Sequence, residues 1–152
     1  AELLSHPVDD FVKDFVGADR TLKGLRLMRV KDVMRRSPVT VKASEEAKVI
    51  HDYMEQEGVR YLLVVEDDGK FSGWINLSDF EYRRGDRVRD VMKPARETVT
   101  PDTDLNEALS HMLGSEIGNI AVVDDDGRLV GVLTFNALRE VLGETYTEKG
   151  GV

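Results

Sequence analysis

A chain of 152 residues with 41% hydrophobic content carries enough apolar material for one ordinary domain, or two small subdomains sharing a core. Its formal net charge of −8 argues against general nucleic-acid binding, which needs a basic footprint, and the absence of cysteine removes disulfide frameworks and thiolate metal sites. The longest apolar runs, such as "YLLVV" at 61–65, fall far short of the roughly 20 residues that cross a bilayer, and no signal peptide opens the chain. A soluble, cytoplasmic protein is expected.

The first predicted element is an amphipathic helix near the start. Pro7 suits its first turn, Gly17 its C-cap, and Val8, Phe11, Val12 and Phe15 form its apolar stripe. The chain begins at Ala1, without an initiator Met and already in helical pattern. It therefore reads as a piece of a longer protein, with residues 1–29 as a helical linker.

From residue 30 the chain says one thing twice. Residues 30–80 align with 88–138 at a constant offset of 58 and without a gap. "VKDVM" meets "VRDVM", "TV" meets "TV", Met54 meets Met112, "DDG" meets "DDG", and Gly73 meets Gly131. An internal repeat fixes the architecture before any single element does. Each copy opens with a short strand near "PVTV" or "ETVT". Ser44 and Asp102 are then the expected N-caps, with Glu45, Glu46 and Asp104 in first turns where the helix dipole favours negative charge. The helices show apolar residues at helical spacing: Ala47, Ile50 and Met54 in one, Leu105, Ala108, Leu109 and Met112 in the other.

Next come "VRYLLVV" and "IGNIAVV", which suit buried strands, then a "DDG" hairpin turn in each copy. The return strands are "KFSGWI" and "RLVGVL", and helices near 77–84 and 135–142 close the units. The fold class expected is mixed α/β (α+β), with two β-α-β-β-α repeats. One unit of about 50 residues buries too little surface to stand alone, so the two should pack together. The boundaries are 30–86 for the first repeat, 87–142 for the second, and 143–152 for a tail.

No catalytic constellation is visible. There is no Walker A loop, metal-ligand spacing or triad, and His6, His51 and His111 are far apart in the sequence. Each reads as a surface or boundary histidine, and no metal is expected. As it stands the chain is expected not to be an enzyme.

The order of elements, with "DVM" opening each unit and "G-h-h-[ST]-x-x-D" (h apolar) closing it, resembles a tandem pair of cystathionine-β-synthase (CBS) domains, a Bateman module. The resemblance implies a pseudo-twofold unit whose clefts bind adenosine-containing ligands, and dimerisation of the module. In that family the Thr or Ser of the motif contacts phosphate and the Asp holds ribose hydroxyls. Here "GWINLSD" keeps Asp79 but has Asn76 in the Thr position, whereas "GVLTFNA" keeps Thr134 but has Ala137 in place of Asp. Each copy retains half a motif. The candidate ligand residues are Asp79, Asn76 and Thr134, with Thr40, Tyr61, Thr98 and Asn119 at matched positions of the two repeats. Leu62 and Ile120 stand where AMP- or ATP-binding relatives often carry Pro, so empty clefts, with Asn76 and Thr134 merely capping helices, remain an equal reading.

The stretch before the repeats is similar to the segment that follows the ATPase domain in importers of glycine betaine, choline or carnitine. Pro7, Asp9, Asp10, Phe11, Val12, Phe15, Val16 and Gly17 fill that pattern. The resemblance implies a regulatory module beside an ATPase domain and permease subunits at the inner face of the cell membrane. AMP, ATP or cyclic di-AMP would be its regulatory ligand, with no other cofactor. Cyclic di-AMP would bind between modules, and "RRGDRVRD" supplies Arg83, Arg84 and Arg87 as candidate phosphate contacts. The tail, with two Glu and one Lys, is too weakly charged for ionic-strength sensing. A homodimer is expected, with Phe80, Leu138 and Leu142 as candidate contacts. The rival readings are a ligand-free dimerisation scaffold and a CBS pair serving an unrelated enzyme or channel.

Overall fold

The computed structural model describes residues 27–114 and 118–141. The predicted helix at 7–17, the tail at 143–152 and Leu142 lie outside the described residues. In chain order the first repeat runs α1 (Val30–Val33), β1 (Arg35–Arg36), β2 (Thr40–Lys42), α2 (Ala47–Glu57), β3 (Tyr61–Val65), β4 (Phe71–Asn76) and α3 (Asp79–Tyr82). The second runs α4 (Val88–Val91), β5 (Lys93–Pro94), β6 (Thr98–Val99), α5 (Leu105–Met112), β7 (Asn119–Val123) and β8 (Leu129–Thr134), and residues 135–141 form helix α6. Both repeats therefore carry the expected β-α-β-β-α order, each preceded by a short helix and strand that the sequence pattern did not announce. Among the described residues no helix is long and apolar enough to cross a membrane.

Those short preceding elements decide the topology. One sheet has the order β2-β3-β4-β5 and the other β1-β8-β7-β6. Each sheet thus holds three strands of one repeat and the two-residue lead-in strand of the other. The chain accordingly divides into two compact units. Among the described residues, 37–98 with 123–130 make one, and 27–36, 99–114, 118–122 and 131–141 make the other.

The lead-in helices are four residues long, too short to persist on intrinsic propensity. Each is held in two ways. Asp32 Oδ2 accepts from the Arg29 N–H at 3.0 Å, and Asp90 Oδ2 accepts from the Arg87 N–H at 3.1 Å, which is the local use of the repeated "DVM" aspartate. The first helical amides then donate to a loop of the other repeat: Val30 to Thr103 and Lys31 to Pro101 in one unit, Val88 to Glu45 and Arg89 to Ala43 in the other.

Gly73 and Gly131 let the lead-in strands approach. Gly73 is paired with Pro94, and a Cβ at 73 would stand 2.0 Å from the Lys93 carbonyl oxygen. Gly131 is paired with Arg36, and a Cβ there would stand 2.8 Å from Met34 Sδ and 3.0 Å from the Arg35 carbonyl oxygen. At Gly73 no side chain fits without moving backbone, whereas at Gly131 a side chain would first have to displace the Met34 sulfur.

Within unit 37–98, β2 pairs parallel with β3, and β3 and β4 form the expected antiparallel hairpin over the first "DDG" turn. Ile50, Met54, Leu62, Val64, Ile75, Val88 and Val91 are all buried in one cluster, so the predicted apolar stripe of α2 does face the core. The equivalent Leu105, Ala108, Leu109 and Met112 of α5 are buried too. The second "DDG" turn belongs to the same unit as the first. Phe71 N–H donates to the Gly127 carbonyl, Leu129 N–H to that of Gly69, and Arg128 Nε to that of Asp68.

The helices begin two residues later than the sequence suggests. Glu46 and Asp104 occupy the N-cap positions, and only Asp104 caps with its side chain, accepting from the Glu107 N–H at 2.8 Å. Ser44 and Asp102 are engaged elsewhere. Ser44 Oγ donates to Asp67 Oδ1, and Asp102 pairs with Lys31 at 3.1 Å. Their loops are fixed by side-chain partners distant in sequence, so the helix starts where those contacts end.

Glu66 ties the end of β3 to β4 and α4. The Ser72 hydroxyl donates to its Oε2 at 2.7 Å and Arg89 lies 3.2 Å from its Oε1. The Ser72 hydrogen bond, and after it Arg89, hold this carboxyl below its ordinary value of 4.5. A carboxyl lowered on folding stabilises above its unfolded pKa, and that contribution is lost as pH falls through the folded value.

Because Gly73 sits against backbone rather than a flexible side chain, Gly73→Ala should overpack the β4–β5 contact and destabilise the chain by about 1–3 kcal/mol in urea unfolding. Unchanged stability would show that the lead-in strand does not need this close approach.

Candidate functional site

The two half-motifs end in different local structures. In the first, Asn76 closes β4 and Asp79 opens α3. The motif carboxylate is 4% exposed and fully engaged. Its Oδ2 accepts from the Asn76 backbone N–H at 2.8 Å, and its Oδ1 lies 2.8 Å from Lys93 Nζ. The Asn76 side chain is used as well, since its Oδ1 accepts from the Ser78 N–H at 3.2 Å and forms an Asx turn.

Lys93 arrives on β5, the exchanged lead-in strand. Its ammonium also lies 4.5 Å from the centroid of Trp74, a cation–π distance, and its side chain is 28% exposed. A near-buried carboxylate is thereby paired with a half-buried cation resting on an indole face. Sequence reasoning missed Lys93 and Trp74. The available signal was weak: Lys93 occupies the position of Arg35 in the repeat alignment, and only knowledge of the strand exchange places it beside Asp79.

In the second half-motif Thr134 ends β8, and its Oγ1 accepts from the Ala137 N–H at 3.0 Å. That is an N-cap for α6, the role expected if the hydroxyl serves the helix. Arg35, the counterpart of Lys93, is exposed where Ala137 replaces the carboxylate. The lysine-to-aspartate contact thus belongs to the copy that has an aspartate.

The remaining candidates are dispersed. Thr40 is partly buried on β2 and Thr98 exposed on β6; Tyr61 faces Asn76 across the β3–β4 register. Asn119, at the start of β7, is 4% exposed. Among the arginines, Arg83 Nη1 donates to the Met92 carbonyl at 2.8 Å, Arg87 Nη1 to the Ser44 carbonyl at 3.3 Å, and Arg89 pairs with Glu66. Arg84 is exposed. Two of the three arginines expected at phosphate therefore also anchor the inter-repeat linker to backbone carbonyls.

His51 stacks on Phe80 with ring centroids 4.5 Å apart and lies 3.5 Å from Glu55. Asp52 joins these two in a group whose candidate ligand atoms lie within 4.8 Å of one another. The i, i+4 spacing of His51 and Glu55 is thus a ligand spacing, contrary to the expectation that the histidines have none, with both carboxylates exposed. Leu138 is fully buried, which removes it as a candidate dimer contact, since a core side chain has no surface to offer.

The CBS-domain family profile matches residues 30–82 and 88–144. The osmoprotectant import ATP-binding protein OsmV of Salmonella typhimurium is 30% identical over 149 residues, covering 97% of this chain and 39% of that protein. The choline transport ATP-binding protein OpuBA of Bacillus subtilis is 28% identical, over 93% of this chain and 38% of its own length. The chain thus spans about two fifths of the length of these curated relatives. Among solved structures, Staphylococcus aureus OpuCA superposes with a TM-score of 0.63 at 27% identity, covering 75% of this chain and 98% of that one.

Because Asp79 is nearly buried and its partner is a cation, Asp79→Ala should leave Lys93 without a counterion. Removing one member of a buried pair costs about 3–5 kcal/mol, and the partial exposure of Lys93 places this case at or below the low end. Chemical unfolding should register that loss. Wild-type stability in Asp79→Ala would mean that the pair does not form in solution.

Proposed function

The chain belongs to the CBS-domain family, with two copies in tandem, and from that premise we propose that it is the regulatory module of an osmoprotectant importer's ATP-binding subunit. The observation that carries this reading is the extent of the similarity. The alignments with OsmV and OpuBA run over 97% and 93% of the chain, and so extend past the repeats into the segment that precedes them. A CBS pair from an unrelated enzyme or channel would be expected to match over the repeats alone.

In the parent, the module would sit beside the ATPase domains and the permease and bias them between active and inhibited states, pairing as a homodimer. Any ligand must bind those two states with different affinity, or it shifts nothing. The ligand class proposed is an adenine nucleotide, held through the ribose at Asp79, with Asn76, Thr40 and Tyr61 in support; Thr134, Thr98 and Asn119 are the counterparts of the second copy. Asp79 is the only motif carboxylate present, and a carboxylate accepts from both hydroxyls of a diol. Arg83, Arg84 and Arg87 would serve cyclic di-AMP, bound between modules.

One observation favours a second reading. Asn76 Oδ1, both Asp79 oxygens and Thr134 Oγ1 all have partners within the chain, which suits a scaffold that binds no nucleotide and only joins two ATPases.

Calorimetry with AMP, ATP and cyclic di-AMP separates these readings. Under the nucleotide reading AMP or ATP binds, and Asp79→Asn weakens it by roughly 10- to 100-fold, the equivalent of one charge-assisted hydrogen bond. Cyclic di-AMP binding that ignores Asp79→Asn places the ligand between modules. No binding of any of the three sinks the nucleotide reading in favour of the scaffold.

A further inference from the structure

We propose that Lys93 makes the Asp79 position selective for phosphorylated nucleosides over neutral ones. The inference rests on the reading that the module takes a nucleotide at Asp79, and it assigns a role to a residue outside both half-motifs.

Asp79 Oδ2 is committed to the Asn76 N–H and Oδ1 to Lys93 Nζ, each at 2.8 Å, in a residue that is 4% exposed. Two vicinal hydroxyls donate to a carboxylate through both of its oxygens or share one. Each oxygen keeps a further lone pair, but the group is 4% exposed, so a ribose that reaches Oδ1 does so by displacing the Lys93 ammonium that lies against it.

Withdrawal is constrained by where Lys93 is rooted. Its backbone carbonyl packs closely against Gly73, 2.0 Å from where a Cβ would stand, and its strand is paired to β4. Its side chain is 28% exposed and its ammonium lies 4.5 Å from the Trp74 centroid. A neutral nucleoside would replace the ammonium at Asp79 with hydroxyls and leave a half-buried cation supported by an indole face alone. That exchange is unfavourable, because an ion pair is broken and nothing charged replaces it.

A nucleotide changes the balance. Its phosphate brings an anion on the same sugar that carries the diol, so the carboxylate gains the hydroxyls while the ammonium gains the phosphate. The charges of the site remain matched throughout. The ligand class is therefore a nucleoside phosphate with free 2′ and 3′ hydroxyls. A 3′,5′-cyclic dinucleotide has its 3′ oxygen esterified and presents no diol to Asp79.

The second repeat supplies an internal comparison. There Ala137 stands in the Asp79 position, and Arg35, in the Lys93 position, is exposed. The basic residue turns inward only in the copy that has a carboxylate to meet it.

The test titrates adenosine and AMP into wild type and Lys93→Gln by calorimetry, with Trp74 emission as a second readout, since it is the chain's one tryptophan. In wild type AMP should bind about 10-fold or more tighter than adenosine, and in Lys93→Gln the two should come within about 3-fold. In wild type AMP should also alter Trp74 emission by drawing the ammonium off the indole, a result that does not depend on whether the variant folds. Adenosine binding as tightly as AMP to wild type, or a folded Lys93→Gln with the wild-type ratio, would overturn the proposal. AMP binding that ignores both Asp79→Asn and Lys93→Gln leaves a nucleotide-binding module standing and removes this role for Lys93. No binding of either compound removes both.

Discussion

The close approach of β5 to Gly73 is the constraint on which the rest of this unit depends. A Cβ at residue 73 would meet the Lys93 carbonyl oxygen at 2.0 Å, so the lead-in strand of the second repeat reaches the sheet of the first only because residue 73 is glycine. Three consequences follow from that contact. The sheet gains its fourth strand, α4 is brought to bond its first amides to Glu45 and Ala43, and Lys93 is carried to Asp79 and Trp74. Gly131 does the same for β1 in the other unit. The glycine of each "G-h-h-[ST]" motif is thus first a packing device, and the polar residues after it inherit their surroundings from the strand it admits.

Much of the fold was legible because it is written in periods. The offset of 58 gives the two units, short continuous apolar runs and "DDG" turns give the hairpins, and Ile50, Met54, Leu105 and Met112 mark the buried helix faces. The exchange of lead-in strands was not legible. Two-residue strands such as Arg35–Arg36 and Lys93–Pro94 have no period to detect, and the non-local pairing that defines them is a property of tertiary packing. The helix starts were misplaced for a related reason, since Ser44 and Asp102 bond to Asp67 and Lys31 rather than to the helices they precede. The pattern D-x-x-E at Asp104–Glu107 was the better signal for α5.

The site was legible in its parts and not in its state. Asp79, Asn76 and Thr134 could be picked out by motif, but each proves to have internal partners, and those partners are what a ligand would have to replace. Asp79 and Lys93 are 14 residues apart with a linker between them, a separation at which no local rule pairs charges. Asp79 already holds a strong intramolecular contact, so the affinity of any ligand there would depend on what it offers in exchange.

A double-mutant cycle measures the interaction between Asp79 and Lys93 without any ligand. Unfolding free energies of wild type, Asp79→Asn, Lys93→Met and the double variant give the coupling directly. A buried, hydrogen-bonded pair in direct contact should show a favourable coupling of about 1–3 kcal/mol. Additivity within about 0.5 kcal/mol would mean that the two side chains do not sense each other, and the assignment of Lys93 to this site would be contradicted.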